Sequence, residues 1–268
     1  MNASEFYQAG KLRDAIAAAV EGVRQRPTDA AVRALLCQLL CIAGDLDRAD
    51  VHLDALMHQD SPGLPGWLAW RQLVRAEKSR QEFFTAGRLP EFLAEPSSVM
   101  RLHVEASIRL REGHTAEAAA FLDQAERERV AISGTCDRVA FSDFRDLDDL
   151  TACFFEVLTT NGKYYWVGFE QVEEIQFHRL ERPLDLLWRP ARLSVRGGPD
   201  GEVCVPVLYA GTHAEEDDQL RLGRATEWRG GDDGPARGVG QRTFYVGETD
   251  MPMLEIQELK FNEPPVAP

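Results

Sequence analysis

Four carboxylates, Asp143, Asp146, Asp148 and Asp149, fall within seven consecutive positions, close enough to share a magnesium ion or to shift one another's pKa for acid–base work. Magnesium sites that act on phosphates also recruit a phosphate-binding loop. Asn161-Gly162-Lys163 is not one, because it lacks the glycine five residues before the Gly-Lys pair and the Ser or Thr after it. A solvated acidic turn before a strand accounts for the four more simply. Gly238-Val-Gly240-Gln-Arg-Thr243 half-matches a dinucleotide fingerprint, but Thr243 stands at the third glycine and strand formers follow. A turn feeding a strand fits it better. His213-Ala-Glu215 begins like a zinc-deaminase triplet without the Pro-Cys-x-x-Cys that would complete the metal site. Cys37 and Cys41 share a helix face, yet no second Cys or His pair follows at zinc spacing. Neither a metal nor a cofactor is expected.

Arg182, Arg189, Arg221, Arg224 and Arg242 recur in the same acidic stretch, and guanidiniums gathered on one face would grip a carboxylate-rich or phosphorylated partner. Internal pairing with Asp146, Asp148, Asp149 and Asp185 is the competing expectation. A small-ligand, phosphate-sensing or enzymatic module using Asp146, Asp148, Asp149 and the arginines is therefore one reading of the second half. Trp166, Trp188 and Trp228 are expected to form the core there.

The elements that must carry these residues divide the chain. Gly10-Lys-Leu12-Arg-Asp-Ala15 returns thirty-four residues later as Gly44-Asp-Leu46-Asp-Arg-Ala49, and a third copy, Gly113-His-Thr115-Ala-Glu-Ala118, lies 69 residues beyond Gly44. That period marks tetratricopeptide-type helical hairpins, with the unit between the second and third copies degenerate. Gly10 turns the first corner, Pro27 stops a helix, and Ser61-Pro62-Gly63 closes the second unit. Stacked hairpins leave a groove suited to another protein's helix or tail. Trp67, Trp70, Arg71 and Val74 share one helical face in the degenerate unit and are candidate anchors, against the plainer expectation that the tryptophans fill the core. Tetratricopeptide geometry nominates Gln38, Cys41, His103 and Ser107 as groove-lining residues.

After Val130 the periodicity changes. A strand from Ala152, the Asn161-Gly162 turn and a strand from Lys163 read as a hairpin. Further strands are expected at Val172–Phe177, Ala191–Val195, Val203–Tyr209, Thr243–Val246 and Leu254–Phe261, with a turn at Gly197–Gly201. The expectation is a tetratricopeptide-like helical domain over residues 1–130 and a small mixed-β, barrel-like α+β domain over residues 131–268. The 268 residues carry a net charge of −14, and a mean hydropathy of −0.31 describes a globular chain. The first 130 residues hold 16 basic and 19 acidic side chains, so most of the acidity lies behind them. Such a balance repels nucleic acid and acidic membrane surfaces. The absence of a long apolar run or export-type leader suggests the cytoplasm. Five scattered cysteines suit reduced core thiols.

A series of blocks in the second half resembles, in order, the ImpE (TagJ, SciE) accessory proteins of type VI secretion. These are Arg145-Asp146-Leu-Asp148-Asp149, Asn161-Gly162-Lys-Tyr-Tyr165-Trp166, Phe169-Glu170-Gln171, Arg182-Pro-Leu-Asp-Leu-Leu-Trp188-Arg189, Arg221-Leu-Gly-Arg224-Ala-Thr-Glu-Trp228 and Gly238-Val-Gly-Gln241-Arg242-Thr-Phe. The resemblance implies a cytoplasmic, non-enzymatic adaptor that binds a helix of the small contractile-sheath subunit and thereby touches the sheath-recycling ATPase. His213–Asp218 looks like a variable insertion.

Overall fold

The structure, a computed structural model, describes residues 1–59, 62–231 and 234–263. Helices α1 (Ala3–Gln8) and α2 (Leu12–Gln25), α3 (Ala30–Ile42) and α4 (Leu46–Gln59), and α6 (Ser98–Arg111) and α7 (Thr115–Glu128) form three packed pairs. Gly10, Gly44 and Gly113 occupy the connecting corners at φ +74°, +75° and +81°. A side chain is strained in that left-handed turn, which is why glycine recurs at the same place in each copy. Behind each corner Leu12 and Ala15, Leu46 and Ala49, and Ala118 are buried. Between the second and third pairs stands a single 23-residue helix, α5 (Leu64–Ala86), the degenerate unit. Of the expected close at Ser61-Pro62-Gly63, Ser61 lies outside the described residues.

The β-rich part contains β1 (Gly134–Cys136), β2 (Val139–Phe141), β3 (Phe144–Asp146), β4 (Phe154–Thr159), β5 (Tyr164–Gly168), β6 (Val172–Phe177), β7 (Trp188–Val195), β8 (Asp200–Pro206), the short helix α8 (Asp218–Arg221), β9 (Thr226–Gly231), β10 (Gly234–Gly240), β11 (Thr243–Val246), β12 (Thr249–Pro252) and β13 (Glu258–Phe261). One sheet runs β2-β1-β13-β6-β7-β8-β4-β5, a second β12-β11-β3, a third β10-β9, and every pairing is antiparallel.

The large sheet curls. Strands β4 and β13 are four places apart in its order, which in a flat sheet would separate them by about 19 Å. Yet the rings of Phe155 and Phe261 lie 6.4 Å apart, with Phe169 4.7 Å from Phe155. Phe144 and Phe244, stacked at 5.0 Å on the β3–β11 sheet, cap this interior. The other face of β4 and β5 meets α5, where Trp166 stacks on Phe154 at 3.9 Å and meets Phe83 edge-on at 4.7 Å. The buried apolar cluster consequently extends from Ala3 to Phe261 across both parts of the chain.

Some local details differ from the sequence expectation. The β4–β5 hairpin is present, but only Gly162, at φ +84°, is left-handed. Its amide bonds to the Thr159 carbonyl and the Thr159 amide to the Lys163 carbonyl, both at 3.0 Å, a three-residue loop rather than a two-residue turn. Gly238-Val-Gly240 is the end of β10, where a Cβ on Gly238 would fall 2.2 Å from the Tyr209 ring; of the two glycines Gly240, at φ +95°, takes the left-handed angle expected of a turn, with Gln241 and Arg242 between it and β11. The expected insertion at 213–218 instead ties the ends together. Asp218 accepts a hydrogen bond from the Leu12 amide at 2.8 Å, satisfying the start of α2, and Arg224 donates to the Tyr7 carbonyl at 3.0 Å.

Because Trp70, Val74 and Phe83 are buried in a cluster shared with the sheet, a fragment of residues 1–130 is expected to bind an apolar dye such as ANS and to melt without cooperativity. The full chain should unfold in one transition. A sharp melt of the fragment without dye binding would show that the helices do not need the sheet.

Candidate functional site

The polar residues with the most perturbed surroundings sit between α5 and the curled sheet. Glu156, in the middle of the otherwise apolar β4, is fully buried. Arg80 of α5 grips it through Nε–Oε1 and Nη2–Oε2 contacts of 2.9 Å each. Arg80 also reaches Glu77 Oε1 at 3.2 Å and the Leu208 carbonyl at 2.9 Å. Arg242 bonds Glu156 from the other side and Asp146 at 2.6 Å. The ring hydroxyls complete the shell: Tyr164 donates to Glu156 at 2.5 Å and Tyr209 to Asp146 at 2.8 Å. Trp166 Nε1 donates to the Tyr164 hydroxyl at 2.6 Å, and Trp188 Nε1 to Glu77 at 3.1 Å.

Two guanidiniums thus face three carboxylates away from water. For Glu156 burial alone would raise the pKa, but Arg80 and Arg242 overcome it and hold the carboxyl at about 2. For Asp146 burial prevails, with Asp148 adding to it, and the carboxyl is pushed up to about 6. Burial likewise raises Glu77.

The acidic block is paired throughout: Asp146 and Asp148 are buried, and Asp143 and Asp149 are half-buried. Asp146 also accepts from Thr151 Oγ1 at 3.0 Å and the Asp148 amide at 2.9 Å. Asp148 caps the turn at Leu150, pairs with Arg237 at 2.9 Å and accepts from the Gly238 amide at 2.9 Å. Asp149 binds Arg145 at 2.8 Å and the Ala236 amide at 2.7 Å, and Asp143 binds Arg129. Among the described residues no group of three or more His, Cys, Asp or Glu is placed to hold a metal ion. The acidic turn expected to be solvated is therefore the polar core of the β-rich part.

The five arginines do not gather on one face. Arg242 pairs with Asp146, Arg182 with Asp185 at 3.0 Å and Arg221 with Asp218 at 3.1 Å. Arg224 holds α1 carbonyls, and Arg189 lies over the Phe177 ring at 4.6 Å. Trp166 and Trp188 are core residues, as expected, whereas Trp228 is 45% exposed because it stands on the two-stranded β9–β10 ribbon against Tyr209.

The residues nominated to line or anchor a groove are mostly inside the molecule. Cys41, Trp70, Val74, His103 and Ser107 are buried. His103 Nδ1 meets the Leu150 carbonyl at 2.9 Å, and Ser107 accepts from Arg111 at 2.7 Å. Burial lowers His103 to about 4. Arg71 is held by Asp50 and Asp54 at 2.7 Å each. Gln38 and Trp67 are half-buried. The face of the repeats expected to be open is covered by the chain's own β-rich part, through α5 on β4 and β5 and α6 on the 149–151 turn. An open cleft of about 620 Å³ lies instead between α7 and β10, lined by Ala116, Ala119, Ala120, Arg129, Arg145 and Asp149 among others.

Residues 138–260, which hold Asp146, Asp148, Glu156, Arg237 and Arg242, match the family described as ImpE protein. Over 262 residues the chain is 33% identical to the type VI secretion system accessory component TagJ of Pseudomonas aeruginosa, covering 97% of this chain and 91% of that one. The chain belongs to the ImpE family. The crystal structure of protein VPA1032 from Vibrio parahaemolyticus shares its fold, with a TM-score of 0.91, 27% identity and 97% of each chain covered. In this ImpE-family chain Arg145, Trp166, Trp188, Gln241 and Arg242 are all tied into internal packing or hydrogen bonds. Sequence reasoning missed Glu77, Arg80, Glu156, Tyr164 and Tyr209. The visible signal was one carboxylate within Phe154-Phe155-Glu156-Val157-Leu158.

Glu156→Gln leaves Arg80 and Arg242 short of a buried counter-charge and is expected to cost about 3–5 kcal/mol in urea unfolding at pH 7. A carboxyl whose pKa is depressed on folding contributes stability that is present above its unfolded value near 4.5 and lost as pH falls towards 2. The acid limb of stability between those pH values should therefore flatten in Glu156→Gln. An unchanged acid limb would assign it to other groups.

Proposed function

We propose that this ImpE-family chain is a non-enzymatic accessory subunit of type VI secretion, acting in the cytoplasm by holding another protein. Its partner in this reading is a helix of the small contractile-sheath subunit, through which it is linked to the ATPase that recycles the sheath. The observation that carries the reading is similarity over 97% of the chain to a relative named as a type VI secretion accessory component. The pairing within the acidic block supports it, since the carboxylates that would serve chemistry are occupied by arginines, hydroxyls and amides.

The surface best shaped for a helix is the cleft beside α7. This is the last helix of the repeat array, and it turns Ala116, Ala119 and Ala120 to the opening. Small side chains let a partner helix approach closely, while Arg129, Arg145 and Asp149, paired with acidic or basic neighbours of their own chain, make the wall rigid and polar.

A fluorescent peptide spanning the helices of the small sheath subunit should bind the full-length chain saturably, measured by anisotropy. Ala119→Arg, at a half-buried position, fills the cleft and is expected to weaken binding at least tenfold with the melting temperature kept. Full affinity in that variant would move the site elsewhere, and no saturable binding by the unaltered chain would refute the sheath partner.

A further inference from the structure

The Phe169-Glu170-Gln171 block is only partly accounted for by the fold. Phe169 is buried in the aromatic interior, and Gln171 Oε1 accepts from the Gly168 amide at 3.0 Å. Glu170 has no cationic partner among the described residues; its carboxylate folds back over Gly168, where a Cβ would fall 2.4 Å from Oε1. It lines a pocket of about 190 Å³ whose other walls include Val99, Val130, Ile132, Cys153 and Phe169.

This pocket lies at the seam where the start of α6 and the end of α7 meet β4, and it adjoins the alanine-lined cleft at Arg129 and Ala152 while sharing none of the alanines of α7. Its charges do not balance. Arg129, at its edge, is already paired with two carboxylates, Asp143 at 2.6 and 2.8 Å and Glu126 at 2.7 Å. Glu128, also at the edge and exposed, accepts from Gln124 at 2.8 Å. Two carboxylates therefore border an apolar hollow, and among the described residues its lining holds no cation besides the already paired Arg129. A carboxylate held against apolar walls without a counter-ion is unfavourable, and burial raises the Glu170 pKa accordingly. The arrangement suits a ligand with an aliphatic body and a positive end, and it disfavours an anion. Val130, 46% exposed, leaves the lip apolar.

We propose that this pocket receives a lysine or arginine side chain of a partner protein, its methylene stem against Val99, Val130, Ile132 and Phe169 and its cationic head on Glu170. The occupant is a protein side chain because about 190 Å³ is room for one side chain rather than a whole helix, and the exposed Val130 at the lip can be covered by a neighbouring apolar residue of a partner. This deepens the reading of the chain as a protein-binding subunit and rests on it, but it invokes neither the sheath helix nor the cleft beside α7.

The test uses the full-length chain with no partner protein present. Saturation-transfer NMR would compare Nα-acetyl-lysine N-methylamide with Nα-acetyl-norleucine N-methylamide, which shares most of the aliphatic stem and lacks the charge. The lysine probe is expected to bind at least fivefold more tightly, and Glu170→Gln should erase that preference. Val130→Lys, at the exposed lip, supplies an internal ammonium and should displace the lysine probe even if Glu170→Gln folds poorly. Equal binding of the two probes, no binding of either, or a preference that survives both variants would overturn the proposal. Sheath-peptide binding measured on the same variants separates the outcomes: loss of lysine binding by the unaltered chain with sheath binding intact removes this site alone.

Discussion

One ion cluster decides how the two parts of this molecule sit together. Arg80 comes from a helix, Glu156 from β4 of the curled sheet, Asp146 from the end of β3, and Arg242 from the link between β10 and β11. Each has surrendered its water, so each depends on the others being within hydrogen-bond reach. A shift of the helices over the sheet by one turn would strand Arg80 beside apolar rings. A slip of β4 by one residue would place Phe155 where Glu156 now stands. The cluster contributes specificity of arrangement, while the stability comes mainly from the apolar surface packed around it.

How much of this was legible follows from what sequence patterns record. The thirty-four-residue period reports a turn requirement and a buried stripe within each hairpin, both local, and Gly10, Gly44, Leu12 and Leu46 carry them in plain view. Strands long enough to show alternation, such as β6, were equally visible. The three-residue strands β1, β2 and β3 hold too few positions for any period, and β1 and β3 depend on partners distant in sequence, Phe261 and Val246 among them. Gly238 misled in β10, since the residue that normally marks a turn is there to admit the Tyr209 ring.

The site was read less completely, for a related reason. Pairing of Arg182 with Asp185 and of Arg242 with Asp146 follows from opposite charges in one acidic domain, and both occur. The filled concave face could not be read. A repeat pattern states which residues hairpins bury, not which third body packs upon them. Cys41 and Ser107 obey the helical pattern faithfully and still face their own chain, while the buried His103 reaches the floor of the α7 cleft.

That closure changes where binding has to be sought. In an open solenoid the groove is long, continuous and built from every repeat. Here the sheet has taken that role, so any protein partner must use what the intramolecular contact leaves over: the outer side of the last helix and the seams where helices meet strands. Those are the places where the α7 cleft and the Glu170 pocket occur. Both are small beside a whole solenoid groove, and both combine apolar walls with a few fixed charges. Recognition on such a surface relies on one helix face and single anchoring side chains, for which a rigid body is an advantage. The internal ion pairs favour that rigidity: Arg80 on Glu156 fixes α5 to the sheet, and Arg129 on Asp143 fixes the end of α7 beside both sites.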